Sequence, residues 1–205
     1  MNPAIKKTIS ILIVAGLVAV AIYGSILPYR KSGAFIEAMR RLNSAKSLDE
    51  FKTIMSRPLE MTSPIGQDEL VRNLASVVTN LVERNGQGRP EFVASVIEYL
   101  QGYYDPIISY GKGPSFSQNL YVLGILNEIA FLQTQDKAYL AAAKNYFSRG
   151  HELGPRRPQF LYGLFDVYRA EGDTQKAVEI ANQILTYWPN DTQIKSLLGG
   201  TPPQR

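Results

Sequence analysis

The chain opens on an unbroken apolar run and then switches to helical periodicity that lasts nearly to its end. Residues 9–27 read ISILIVAGLVAVAIYGSIL, 19 positions without a charge. At roughly 1.5 Å per residue such a helix nearly matches a hydrocarbon core of about 30 Å, so 9–27 is expected to cross a membrane. Lys6 and Lys7 flank one end, Arg30 and Lys31 the other, and Tyr23 and Tyr29 fall where interfacial aromatics belong. Residues 1–8 form a short tail, and Pro28 is expected to end the helix. The rival is a cleaved signal peptide, with Ala19-Val20-Ala21 as its small-residue site and Ile22 as the new terminus. The apolar run continues through Ile26-Leu27, which favours the uncleaved anchor.

Residues 28–62 read as juxtamembrane helices. Phe35, Ile36, Met39 and Leu42 mark a short helix ending near Asn43. Ser47-Leu48-Asp49-Glu50 is a capping box, opening a helix with Leu48, Phe51, Ile54 and Met55 inward. Arg57-Pro58 and Ser63-Pro64-Ile65-Gly66 are expected breaks. A helical hairpin follows over 63–116. Its first helix, 67–84, carries Leu70, Leu74, Val77, Val78 and Leu81 on one stripe, and its second spans 90–101. The remainder, 102–116, reads as irregular and holds Tyr103, Tyr104 and Tyr110, taken as a cover over the core rather than a contact patch for sugars or lipid. No sustained period-2 alternation occurs, so the expected fold is all-α.

A repeat dominates residues 117–198. Ala143, Phe147, Gly150 and Pro155 recur as Ala177, Ala181, Ile184 and Pro189, with the alanines and the prolines 34 apart. That is the period of a tetratricopeptide repeat. Leu120, Leu123 and Gly124 match Leu161, Leu164 and Phe165 in the preceding helices, with Gly172-Asp173 turning the second unit. The small residues let paired helices approach closely, and the prolines end each second helix. Gly124 lies 19 residues before Ala143, whereas Phe165 lies 12 before Ala177. The seven extra residues are expected to lengthen the helix over 119–133 by about two turns. Two units need neighbours, so the helices of 67–101 are expected to stack on the first and 191–198 to cap the second. The predicted architecture is a transmembrane helix followed by a tetratricopeptide-like right-handed superhelix, with 199–205 a disordered tail.

Charge and composition narrow the chemistry. Residues 1–57 hold nine of the 22 Lys and Arg and three of the 18 Asp and Glu, so basic charge gathers beside the apolar segment. The rest is close to neutral and has no basic stripe of the kind nucleic acid requires. Both flanks of 9–27 are basic, so the positive-inside tendency leaves the orientation open. The chain has no cysteine and one histidine, His151, which removes thiolate sites and histidine-pair metal sites. No metal, cofactor or catalytic residue is expected.

The segment from Ile22 through Tyr29-Arg30-Lys31 to Met39, then 48–55, 63–72 and the repeat over 120–189, resembles the C-terminal region of O-antigen ligase or polymerase-like membrane proteins. In those proteins a final membrane helix runs into a proline, short helices and a tetratricopeptide tail. Their chemistry resides in a bundle of about ten membrane helices, and this sequence has one candidate. The resemblance implies an accessory or split part of surface polysaccharide assembly, with a multi-span glycan enzyme as partner, and carries over no catalytic residue. The helical domain is placed, by slight preference, outside the cytoplasm. The alternatives are a single-span accessory factor of protein secretion or pilus assembly, and a carboxylate-dependent enzyme.

Candidate sites follow from the repeat. Gln159, Tyr162, Asp166 and Arg169 share the helix face opposite Leu161, Leu164 and Tyr168, and are the candidate groove for a protein partner. The bland alternative is a solvated face with Asp166 and Arg169 merely adjacent. Glu128, in the apolar stretch 119–133, is a candidate acid or base, more simply read as paired with a neighbouring Lys or Arg. His151-Glu152 lacks a second histidine four residues on, and Gly111-Lys112-Gly113-Pro114 lacks the spacing of a phosphate loop.

Overall fold

The computed structural model describes residues 3–42 and 44–199. Among these every regular element is helical, and one helix near the N-terminus is long and apolar enough to cross a membrane. The expected helix end at Asn43 and the tail from 200 onward lie outside the described residues. The chain divides into two compact units, Met1–Leu74 and Ala75–Arg205.

In the first unit, α1 (Pro3–Ala21), a π-helical turn (Ile22–Ile26) and α2 (Leu27–Leu42) form one continuous helix of 40 residues. The expectation that Pro28 ends the helix is therefore corrected. Proline lacks an N–H and its ring crowds the carbonyl four residues back, here that of Gly24. The widened turn lies directly before it: the Leu27 N–H reaches back five residues to the Ile22 carbonyl. Such a turn opens room for the ring without breaking the helix. Every residue from Pro3 to Ile26 is exposed, with Leu12, Leu17 and Val20 at 65%, 64% and 69%. An apolar surface of that extent needs lipid or a partner over it.

α2 packs on α3 (Leu48–Glu60) and buries Lys31, Phe35 and Ala38. Ile36 and Met39 are exposed. The four apolar positions span more than one face of a helix, and the stripe chosen is the one shared with Lys31. At α3 the Ser47 hydroxyl accepts from the Glu50 N–H at 3.1 Å, while the Glu50 carboxylate accepts from the Lys46 N–H at 2.9 Å. The cap forms as its residues predict, with the return bond one residue earlier. Arg57-Pro58 is not a break: Pro58 is buried in the final turn of α3, where it removes a single ladder bond. The link to α4 (Gln67–Asn85) does turn at Ser63-Pro64-Ile65-Gly66, with Gly66 at φ 91°, a value that favours glycine. The Lys31 ammonium, on a residue only 3% exposed, donates to the Met61 carbonyl at 2.7 Å and to the Gln67 side chain. It thereby pins both ends of that link to α2.

In the second unit, α5 (Pro90–Tyr110) runs nine residues past its expected end at 101. Residues 102–110 are helical, and only 111–115 form a loop. Pro106 sits inside this helix, but both it and Gly102, whose carbonyl loses its partner, are exposed, so water satisfies that group. Gly111 closes the helix at φ 69°. The tyrosines divide accordingly: Tyr104 is buried, Tyr103 half-buried and Tyr110 exposed.

α6 (Phe116–Thr134) packs on α5, α7 (Lys137–Leu153) and α8 (Pro158–Glu171). α8 packs in turn on α9 (Thr174–Tyr187), and α9 on α10 (Thr192–Leu198). Two-residue links join α6 to α7 and α8 to α9, which makes each pair a helical hairpin. The seven extra residues do not all lengthen α6. Four lie between Gly124 and its C-terminus, relative to α8, and three between the start of α7 and Ala143, relative to α9. Each is close to one turn of 3.6 residues, so both arms grow together and the hairpin stays in register.

The repeat positions are the core. Ala143, Phe147 and Gly150 are buried in α7, and Ala177, Ala181 and Ile184 in α9, while Pro155 and Pro189 occupy the exposed links that follow. Three glycines make sockets for aromatic rings. A Cβ on Gly124 or Gly163 would come within 2.3 and 2.7 Å of the Phe147 ring, and one on Gly150 within 2.0 Å of Phe160. Phe147 of α7 thus wedges between bare backbone on α6 and on α8. Ile194 of α10 is buried beside Ala181 and Ile184, while Thr192, Gln193 and Lys195 are exposed.

The last helix hangs on one carboxylate. Asp191 accepts from the Ile194 N–H at 2.9 Å through one oxygen and from the Tyr162 hydroxyl through the other. Asp191→Ala is expected to lower unfolding free energy by about 1–2 kcal/mol in a denaturant titration, combining a lost cap and an unpartnered half-buried hydroxyl. Tyr162→Phe, which leaves the cap intact, should lose less.

Candidate functional site

The residues expected to form one groove on α8 line two different clefts. Asp166 and Arg169 face α6 in a cleft of about 340 Å³ whose other walls are Glu128, Phe131, Leu132 and Ala170. Tyr162 instead lines a cleft of about 560 Å³ with Pro158, Tyr187, Trp188, Pro189, Asn190 and Asp191. Gln159 is half-buried and lines neither. Helical spacing did place the four on one side of α8. It carried no information that Asp191, 29 residues on, would engage the tyrosine.

The α6–α8 cleft concentrates charge in an apolar setting. Asp166 lies 3.6 Å from Arg169, one turn away on the same helix, with both side chains about half exposed. A pair so wet contributes little to stability. The Arg169 guanidinium also lies over the Phe165 ring at 5.4 Å, which orients it along α8. Glu128, on α6, makes no hydrogen bond or ion pair among the described residues, so the expected Lys or Arg partner is not there. Burial, with the Asp166 carboxylate adding to it, raises the Glu128 carboxyl to about 7. Burial raises Asp166 as well, opposed by Arg169.

Folding makes Glu128 harder to ionise, so the native state holds a proton that the unfolded chain releases near the usual glutamate value of 4.5. Its contribution to stability is full below that value and is lost as pH rises through about 7. The native chain is therefore expected to lose denaturant midpoint between pH 5 and pH 8, and Glu128→Gln to flatten that fall. An equal fall in both proteins would place the titration elsewhere.

The second cleft is aromatic. The Tyr187 and Trp188 rings meet edge to face at 5.7 Å, and the Arg156 guanidinium lies over Tyr187 at 5.5 Å. Trp188, Asn190 and the apolar wall of Phe131 and Leu132 went unrecognised as site residues in the sequence. An Asp three residues before Ile194 signals a helix cap and so hinted at Asp191. Leu132, an exposed leucine at a helix end, carries no such signal.

His151 and the turn at 111–114 line neither cleft. His151 is half-buried in the last turn of α7, and its Nδ1 is buried without a hydrogen-bond partner among the described residues. No group of three or more His, Asp or Glu side chains is arranged to hold a metal among the described residues. Gly111 and Gly113 have φ of 69° and 123° in a turn, where Lys112 lies over the Tyr110 ring at 5.0 Å.

No family model, no curated protein and no solved structure matches this chain.

Proposed function

We propose that the chain is a membrane-tethered interaction module of the tetratricopeptide type, in which residues 9–27 span the bilayer and the α6–α8 cleft receives a segment of a partner protein. The observation that carries this reading is the cleft itself. An unpaired, half-buried carboxylate stands near a second carboxylate, beside a leucine that is 60% exposed. A partner segment supplying an apolar side chain and a donor would satisfy both at once, the combination by which helical-repeat surfaces bind peptides. The 34-residue spacing of buried Ala143 and Ala177 supports the repeat type. Surface polysaccharide assembly is the proposed setting, on the resemblance of residues 22–39 and the helices after them.

The test is site-specific photocrosslinking from position 132 in the full chain within its own membrane. The expected result is a discrete adduct that Asp166→Asn weakens and an exposed-site probe at position 152 does not form. An unaltered adduct in the variant, or no adduct at all, removes the cleft as the docking site. The captured protein separates a glycan enzyme from a secretion or pilus component.

A further inference from the structure

The link between α3 and α4 lies at the level where the charge-free run of the long helix stops. Lys31 is four residues past Leu27, about 6 Å along the axis at the usual rise. Its side chain, like any on a helix, leans back toward the N-terminus, which brings its ammonium closer still to the end of the apolar run. That ammonium holds the Met61 carbonyl at 2.7 Å and the Gln67 side chain, so both ends of the link are fixed to Lys31, about one turn past Leu27. Burial agrees: residues 3–26 are all exposed, and Leu27 and Pro28 are the first along the helix to be half covered. Between those fixed ends stand Pro64, exposed, and Ile65, 61% exposed. Tyr29, on the helix at the same level, is 81% exposed.

Resting on the reading that residues 9–27 span a bilayer, we propose that residues 62–66 are a second membrane contact, seating Pro64 and Ile65 in the interfacial layer of the same leaflet at the level of Tyr29. The ligand is the phospholipid surface, and the attraction is apolar. Arg30 and Arg57 are exposed nearby, but so are Glu60, Asp68 and Glu69, so the basic excess of residues 1–57 does not extend to the exposed surface around this link, which gives anionic lipid no special grip. Two attachments on one leaflet, a span and a loop, fix the lean of the first unit where a span alone would leave it free. An isoleucine at the headgroup–acyl boundary is the usual arrangement for side chains that lie in an interface rather than cross it.

The chain has no cysteine, so a single introduced thiol reports one position. Nitroxide labels on Val18→Cys, Ser44→Cys and Ile65→Cys, each exposed in the native chain, are read by power saturation with oxygen and with a water-soluble nickel chelate. The full chain is used in nanodiscs of phosphatidylcholine, and again with phosphatidylglycerol added. Position 65 is expected about 5–10 Å below the phosphates in both lipids, the depth of interfacial apolar side chains. Position 18 should lie deep in hydrocarbon and position 44 in water. A label at 65 as wet as that at 44, with 18 still in lipid, overturns the second contact and leaves the anchor standing. A wet label at 18 overturns the span instead. Insertion at 65 only with the anionic lipid overturns the apolar attraction.

Discussion

Phe147→Ala is expected to cost about 3–5 kcal/mol of unfolding free energy, the range for deleting a fully buried aromatic ring. The ring is 0% exposed and touches bare backbone at Gly124 on α6 and Gly163 on α8. It also packs against Tyr121, at 6.3 Å between centroids. Three helices thus meet through one side chain, and neither glycine can extend anything into the space it leaves. The cavity stays open, which places the cost high in its range. The converse change tests the same contact. Gly163→Ala puts a methyl where the ring edge lies, and overpacking of this kind costs about 1–3 kcal/mol. Combining Gly163→Ala with Phe147→Leu, whose smaller side chain leaves room for the methyl, should cost less than the sum of the single changes. Chemical denaturation followed by circular dichroism at 222 nm measures all three. Strict additivity would mean that ring and glycine do not share one contact.

A second large effect belongs to the apolar helix. Leu17→Arg places a charge at the middle of residues 9–27, and the insertion penalty at a helix centre is about 2.5–3.5 kcal/mol. The expected result is a pronounced loss of the carbonate-resistant membrane fraction. Ile36→Arg, at a position 53% exposed in α2, should leave that fraction unchanged. Equal partitioning of Leu17→Arg and the native chain would show that no bilayer surrounds position 17.

Much of the helical layout was legible, and the failures share a cause. The starts of α3, α4 and α5 fall where Ser47, Gly66 and Pro90 place them, because caps and turns are local chemistry. The buried alanines 34 apart marked the core positions of α7 and α9. Proline misled the reading at Pro28 and Pro58, and the stretch read as irregular holds Pro106; all three lie within helices. A missing N–H is local, but what absorbs it is not: a π-turn in one helix, a terminal turn in the second, exposure to water in the third. The cleft was half legible. Glu128 stood out as a carboxylate among apolar residues, and Asp166 and Arg169 as polar positions on one face of their helix. That the two sets meet depends on how α6 packs on α8, which no spacing within either segment encodes. The link from Tyr162 to Asp191 was invisible for the same reason.

The unbroken helix from Pro3 to Leu42 makes the junction a stiff shaft with a rotational phase. Each residue of a helix turns its successor by about 100°, so the side of the chain that Phe35 and Ala38 present is keyed to the side that Leu12 and Leu17 present. One residue added or removed between them re-aims Phe35, Ala38 and the α3 packed on them by more than a quarter turn. Whatever neighbour grips the helix along Leu12 and Leu17 also sets the compass bearing of α3.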